Sequence, residues 1–145
     1  MHYDGSQWTN VTTESIQAKT GMDVYDFMHV AVDPKDLSHY FVTSYGTGFY
    51  EFRHDTLVRH DIAGGENTLV AITPTNPSYY TRLDYMEYDS EGNLWMLDAC
   101  TYDQLQCLDA SRVWHAVNVQ AGEGSLALHT PGGLIIDNQH PHHKW

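Results

Sequence analysis

The chain has 145 residues, of which 41% are hydrophobic, 12% aromatic and only 18% charged, a balance that excludes a disordered segment. Its 19 acidic residues against 7 basic ones give a formal charge of −12, which argues against a nucleic-acid binder and against an anionic membrane surface. The acid is scattered through the chain and reads as a solubilising surface.

Period-2 patterning dominates. Gln7-Trp8-Thr9-Asn10-Val11 has the look of a short strand, and Ser15-Ile16-Gln17-Ala18-Lys19 predicts a turn or two of helix. Met28-His29-Val30-Ala31-Val32 alternates and breaks at Asp33-Pro34-Lys35-Asp36, a turn-forming cluster. Tyr40-Phe41-Val42-Thr43-Ser44 predicts a second strand closed by Gly46 and Gly48. Phe49 to Arg53 predicts a third, alternating aromatic with polar, and Leu57-Val58-Arg59-His60 a fourth after the His54-Asp55 turn. This is an antiparallel meander.

Residues 64–80 predict a linker with two prolines. The meander then repeats. Leu83 to Tyr88 predicts its first strand, Asp89-Ser90-Glu91-Gly92-Asn93 a hairpin turn that wants positive φ, and Leu94-Trp95-Met96-Leu97 its second strand. Leu105 to Leu108 and Val113 to Val117 complete it, and a third copy opens at Gly133-Leu134-Ile135-Ile136-Asp137.

Asp33, Asp89 and Asp137 close the first strand of successive copies at a spacing of roughly 50 residues, with Trp8 and Trp114 two steps apart. A four-stranded repeat of that length predicts an all-β fold of antiparallel four-stranded β-propeller blades. The expected division is a partial blade 1–24, a blade 25–63, the linker 64–80, a blade 81–119 and a partial blade 120–145. Two whole blades cannot close a ring, so the chain is expected to be a fragment of one propeller domain whose open sheet edges favour self-association. In that arrangement Trp95 fills space between blades and Gly46 and Gly48 allow close backbone approach.

The string from Met28 to Pro34, followed by Tyr40-Phe41-Val42-Thr43-Ser44-Tyr45-Gly46-Thr47-Gly48-Phe49-Tyr50-Glu51-Phe52, resembles the blades of the PorZ-like propeller proteins of Bacteroidetes. Leu57 to His60 followed by Asn67-Thr68-Leu69 fits the tail of the same blade. Asp89-Ser90-Glu91-Gly92-Asn93-Leu94-Trp95 is similar to the Asp-x-x-Gly-Asn-Leu-Trp signature shared with two-component regulator propellers. The resemblance covers about residues 25–145 and implies a non-enzymatic propeller of type IX secretion, exported to the periplasm or cell surface. Its partners would be the remainder of the propeller and either secretion-system proteins or cell-surface polysaccharide. The related alternative is the sensor half of a hybrid two-component system that detects glycan fragments. The N-terminus, Met1-His2-Tyr3-Asp4-Gly5, lacks the basic and apolar regions of a signal peptide, so export is expected of the parent protein.

Chemistry-bearing clusters are few. Tyr45, Tyr79, Tyr80 and Tyr102 are the candidates for stacking on sugar rings. Cys100 and Cys107 would face each other if the hairpin turned at Asp103-Gln104, making a disulfide candidate suited to an exported protein. His140-Pro141-His142-His143 reads as a solvated hairpin whose imidazoles pick up nickel, copper or zinc incidentally, so no metal or other cofactor is assigned. No nucleophile elbow, phosphate loop or zinc-protease motif occurs. A glycan-cleaving enzyme would have to use acid pairs such as Glu87 and Asp89, whose separation the spacing leaves open.

Overall fold

The computed structural model describes residues 1–73, 75, 80–101, 104–117, 119, 132–140 and 143–144. It is an all-β arrangement with one helix, built from two stacked four-stranded antiparallel sheets that resemble propeller blades and do not close a ring. A small hairpin pairs β1 (His2–Tyr3) with β2 (Trp8–Thr9). After α1 (Thr13–Thr20) come β3 (Phe27–Asp33), β4 (Asp36–Ser44), β5 (Gly48–Arg53) and β6 (Thr56–Asp61), hydrogen-bonded in chain order. The second sheet is β7 (Leu83–Tyr88), β8 (Leu94–Asp98), β9 (Leu105–Leu108) and β10 (Trp114–Val117), again a meander. Among the described residues no helix is long and apolar enough to cross a membrane.

Alternation of side chains gives each sheet two faces, and both are apolar. Phe41, Phe49 and Ala31 of the first sheet meet Met86, Leu94, Met96, Leu108 and Trp114 of the second in the main core. The opposite face of the first sheet, with Val42, Tyr50 and Phe52, packs on Ile16 of α1. The opposite face of the second packs Leu97 and Trp95 against Leu134 and Ile136. Strand β5 is therefore buried on both sides. Glu51, a polar member of that alternating strand, lies in the interface between the sheets.

The helix is longer than the five-residue turn its pattern predicts. Thr12 caps it by accepting the Ser15 amide at 3.3 Å, and Gly21 in a left-handed conformation closes it onto the Gln17 carbonyl. Ile16 is its one buried residue, and Lys19 reaches the Leu57 carbonyl at 2.9 Å. Such a short helix exists because tertiary contact supplies what its length cannot.

The match of Trp8 with Trp114 does not extend to their surroundings. Trp114 is 7% exposed and donates its indole N–H to Asp61 at 3.0 Å, whereas Trp8 is 65% exposed and rests on Tyr3. Registers superpose the two sheets strand by strand, so that Val30 and Val42 of the first occupy the places of Met86 and Met96 in the second. Met86 and Met96 are covered by the first sheet, while Val30 remains 59% exposed beside a groove of about 580 Å³ that also touches Val32 and Leu37. The first sheet thus carries the same kind of apolar face as the second, with less to cover it.

Candidate binding face

The β4–β5 turn, the β8–β9 turn and the approach to β7 gather at one end of the sheets, held by side-chain hydrogen bonds to backbone. Ser44 Oγ donates to the Tyr25 carbonyl at 2.8 Å and accepts from the amides of Gly46 and Thr47. Thr47 bridges to Thr81 in parallel, and Gly48 donates its amide to the Thr81 carbonyl at 3.1 Å. Gly48 sits at φ 81°, and a Cβ there would come within 2.3 Å of the Asp61 carbonyl oxygen, so only glycine fits this turn. Part of the linker is ordered against the same end: Thr68 and Gln106 exchange two hydrogen bonds, and the Val70 amide donates to Asp98.

Of the four tyrosines, Tyr79 and Tyr102 lie outside the described residues. The Tyr45 ring lies beneath the Arg82 guanidinium, 4.9 Å from it, and its phenol is held protonated above the usual range by burial and by the neighbouring Cys100. Arg82 Nη1 also points to Cys100 Sγ at 3.9 Å, and among the described residues Arg82 Nε has no hydrogen-bond partner. Tyr80 is partly exposed next to the bridge at Thr81, with its carbonyl accepting the Ile72 amide. The structure thus brings Tyr45, Tyr80 and Arg82 to one end of the sheets, an aromatic and cationic surface.

Close by, His60 stacks on Tyr50 at 4.5 Å and donates Nε2–H to the Thr47 carbonyl at 2.8 Å. Burial pushes its proton affinity below the ordinary imidazole value of 6.5, against the opposing pull of the Thr47 carbonyl. Above pH 6.5 the ring is neutral in both folded and unfolded chains and pH has no leverage through it. Below 6.5 the unfolded chain takes up the proton more readily, so stability is lost as pH falls. Urea midpoints are expected to drop between about pH 6.5 and pH 5. His60→Gln should flatten that slope, and an unchanged slope would show that other groups govern it.

The cysteine pairing is corrected by the register of the second sheet. Cys107 stands opposite Trp95 on one side and His115 on the other, while Cys100 lies in the β8–β9 turn at φ 65°. The strands meet at Leu97 and Leu105, and Asp98 donates its amide to the Gln104 carbonyl, so the turn begins before Cys100. Both residues are thiols. Burial, together with Asp89 and Asp109, pushes the Cys107 thiol up to about 12. At pH 8 a disulfide-exchange reagent is therefore expected to label at most one thiol in the folded chain and two in denaturant. Rapid labelling of both under native conditions would contradict this burial.

A second cluster occupies the opposite end of the sheets. Asp33, Asp89 and Asp109 each close a turn on their own side chain, accepting backbone amides within the next four residues. Each also receives a ring N–H from the residue six further on: His39 at 2.9 Å, Trp95 at 2.7 Å and His115 at 2.8 Å. Burial alone would raise the Asp33 and Asp89 carboxyls. Hydrogen bonds from the Lys35 amide and His39, and from Trp95 and Asn93, hold them below the usual range instead. The second nitrogen of His39 meets Glu51 at 2.8 Å, and Arg112 of the second sheet's last turn pairs with the other Glu51 oxygen. A cavity of about 240 Å³ beside this network is lined by Lys35, Arg53 and Tyr88, among others.

Glu87 and Asp89, the acid pair considered for glycan cleavage, are both engaged. Glu87 accepts the Ile136 amide at 3.1 Å, and Asp89 holds its turn and Trp95. The Asp-x5-ring spacing was visible in the chain at 33/39, 89/95, 109/115 and 137/143, and simple strand periodicity passes over it. His142 lies outside the described residues, whereas Asp137, His140 and His143 converge at the tip of the last hairpin.

No family model matches the chain, and no curated protein sequence matches it. Among solved structures it is similar to PorZ, an essential bacterial surface component of the type-IX secretion system of Porphyromonas gingivalis, with a TM-score of 0.80 and 26% identity. The similarity covers 92% of this chain and 17% of that one.

Proposed function

We propose that the chain is a non-enzymatic propeller module that serves type IX protein secretion at the cell surface as a scaffold or binding element. The observation that carries this reading is the likeness to PorZ over 92% of the chain, at 26% identity. The stacked sheets suit a scaffold, since two apolar faces of one sheet can be covered only by further layers. Within that role the Tyr45, Tyr80 and Arg82 end is the surface assigned to ligand, and a surface polysaccharide is the chemistry it fits: aromatic faces for sugar rings and a guanidinium for acidic substituents.

The test is genetic and biochemical together. Deleting the coding segment from its host should leave secreted cargo in the periplasm instead of at the surface. The purified protein should release no reducing ends from host polysaccharides. Normal cargo delivery in the deletion strain would remove the secretion reading, and turnover of a glycan would replace a binding role with an enzymatic one.

A further inference from the structure

The last described hairpin, closed by the bridge between Ile136 and Lys144, repeats the aspartate turn seen three times before, with one change. Asp137 again accepts nearby amides, those of Gln139 at 2.9 Å and His140 at 3.2 Å. In the three earlier turns the outer carboxylate oxygen meets a ring six residues on. Here that oxygen meets His140 Nδ1, only three residues on, at 2.9 Å. The ring at the sixth place, His143, stacks on His140 with centroids 5.5 Å apart. The turn therefore gathers two imidazoles beside one carboxylate.

The consequence is a set of three donors, one oxygen and two nitrogens, whose ligand atoms all lie within 4.8 Å of one another. Ligands around one ion at 2.0–2.2 Å stand about 3–3.5 Å apart, so small rotations of the two exposed rings would close the set. The backbone beneath is already tied, because the His143 carbonyl accepts the Asp137 amide and the His140 carbonyl accepts the His143 amide.

We propose that Asp137, His140 and His143 form a binding site for a divalent first-row transition ion of nitrogen preference, zinc or nickel, at the tip of this hairpin. Two imidazoles and one carboxylate suit such ions, whereas calcium requires a shell of oxygens. Binding places the ion where His140 and Asp137 now share a hydrogen bond, and water completes the coordination. Because the same hairpin lays Ile136 and Leu134 over Leu97, an ion at its tip would pin the cover of the second sheet's outer face.

The whole chain is titrated calorimetrically with zinc chloride, nickel chloride and calcium chloride in separate runs. Saturable one-site binding of zinc or nickel, without calcium binding, is expected, with a rise in melting temperature as the ion is added. His140→Ala and His143→Ala should each weaken binding about tenfold or more, while His54→Ala, at a distant exposed histidine, should leave it unchanged. The native chain supplies a check free of substitutions: the imidazole resonances shifted by zinc should be those of His140 and His143. Absence of saturable binding, equal binding of calcium, unchanged affinity in the His140→Ala/His143→Ala chain, or shifts confined to other histidines would each overturn the site.

Discussion

Replacing Phe49 by alanine is expected to cost about 3–5 kcal/mol of folding stability, enough to unfold a marginal domain. Phe49 is completely buried on β5 between the two sheets. Its ring lies against Phe41 at 5.4 Å and meets the Trp114 ring edge-on at 5.3 Å. The residues around it are held by strand pairing on both sides, so the structure can collapse only partly into the space left behind. A denaturant titration measures the loss. Val58→Ala is the control, since Val58 is exposed on β6 and its truncation should move stability by about 0.5 kcal/mol or less. The shape of the transition carries further information. If the sheets fold as one body, Phe49→Ala shifts a single transition; if they fold separately, it splits the curve in two. A loss below about 1 kcal/mol would mean that the sheets do not rely on their shared core.

How much of this was legible beforehand depends on which physical signal each part leaves in the chain. The two meanders were readable because tight turns and period-2 alternation are local; every strand of both sheets overlaps an expected one, although β4 begins at Asp36, inside the expected turn. The aromatic and polar alternation of β5 is legible in the chain, but the burial of Glu51 is not. Alternation tells which residues share a face, but not whether the second face is also buried. His39 from the same sheet and Arg112 from the other together make that position tolerable for a carboxylate. The cysteines failed on register: one residue with positive φ at Cys100 shifts the turn and removes it from the strand opposite Cys107. Trp8 shares a sequence pattern with Trp114, but burial is a property of neighbours, and Asp61 stands beside only one of them. For the candidate face, Tyr45 and Tyr80 could be named from composition. Arg82, which covers Tyr45, could not, since that contact depends on packing of β7 against the β4–β5 turn.

Arg112 is the substitution that tests the charged bond between the sheets, and Arg112→Ala is expected to cost about 2–3 kcal/mol. Its guanidinium pairs with Glu51, a residue only 4% exposed, and also lies 5.5 Å from the centre of the Phe41 ring. Removing it leaves a buried anion that His39 alone must answer, with Arg53 only at 4.0 Å. The full cost of breaking a buried pair is moderated because Arg112 is itself partly exposed and His39 stays in place. Backbone strain adds a second, opposite signature. Arg112 occupies φ 71°, in the turn position that Gly92 fills at φ 89° in the second sheet's first hairpin. An L-residue pays about 1 kcal/mol there, so Arg112→Gly should be milder than Arg112→Ala by roughly that amount, the reverse of the usual order. Changing Glu51 to leucine and Arg112 to methionine together removes both charges, and the double variant should lose less than the sum of the two single losses by at least about 1 kcal/mol. The four stabilities, compared at low and high salt, decide the matter. Buried attraction is weakly screened, so the coupling should persist at about 1 M salt. Additive losses, or a coupling that salt abolishes, would place Arg112 on the surface and leave the two sheets held together by their apolar core alone.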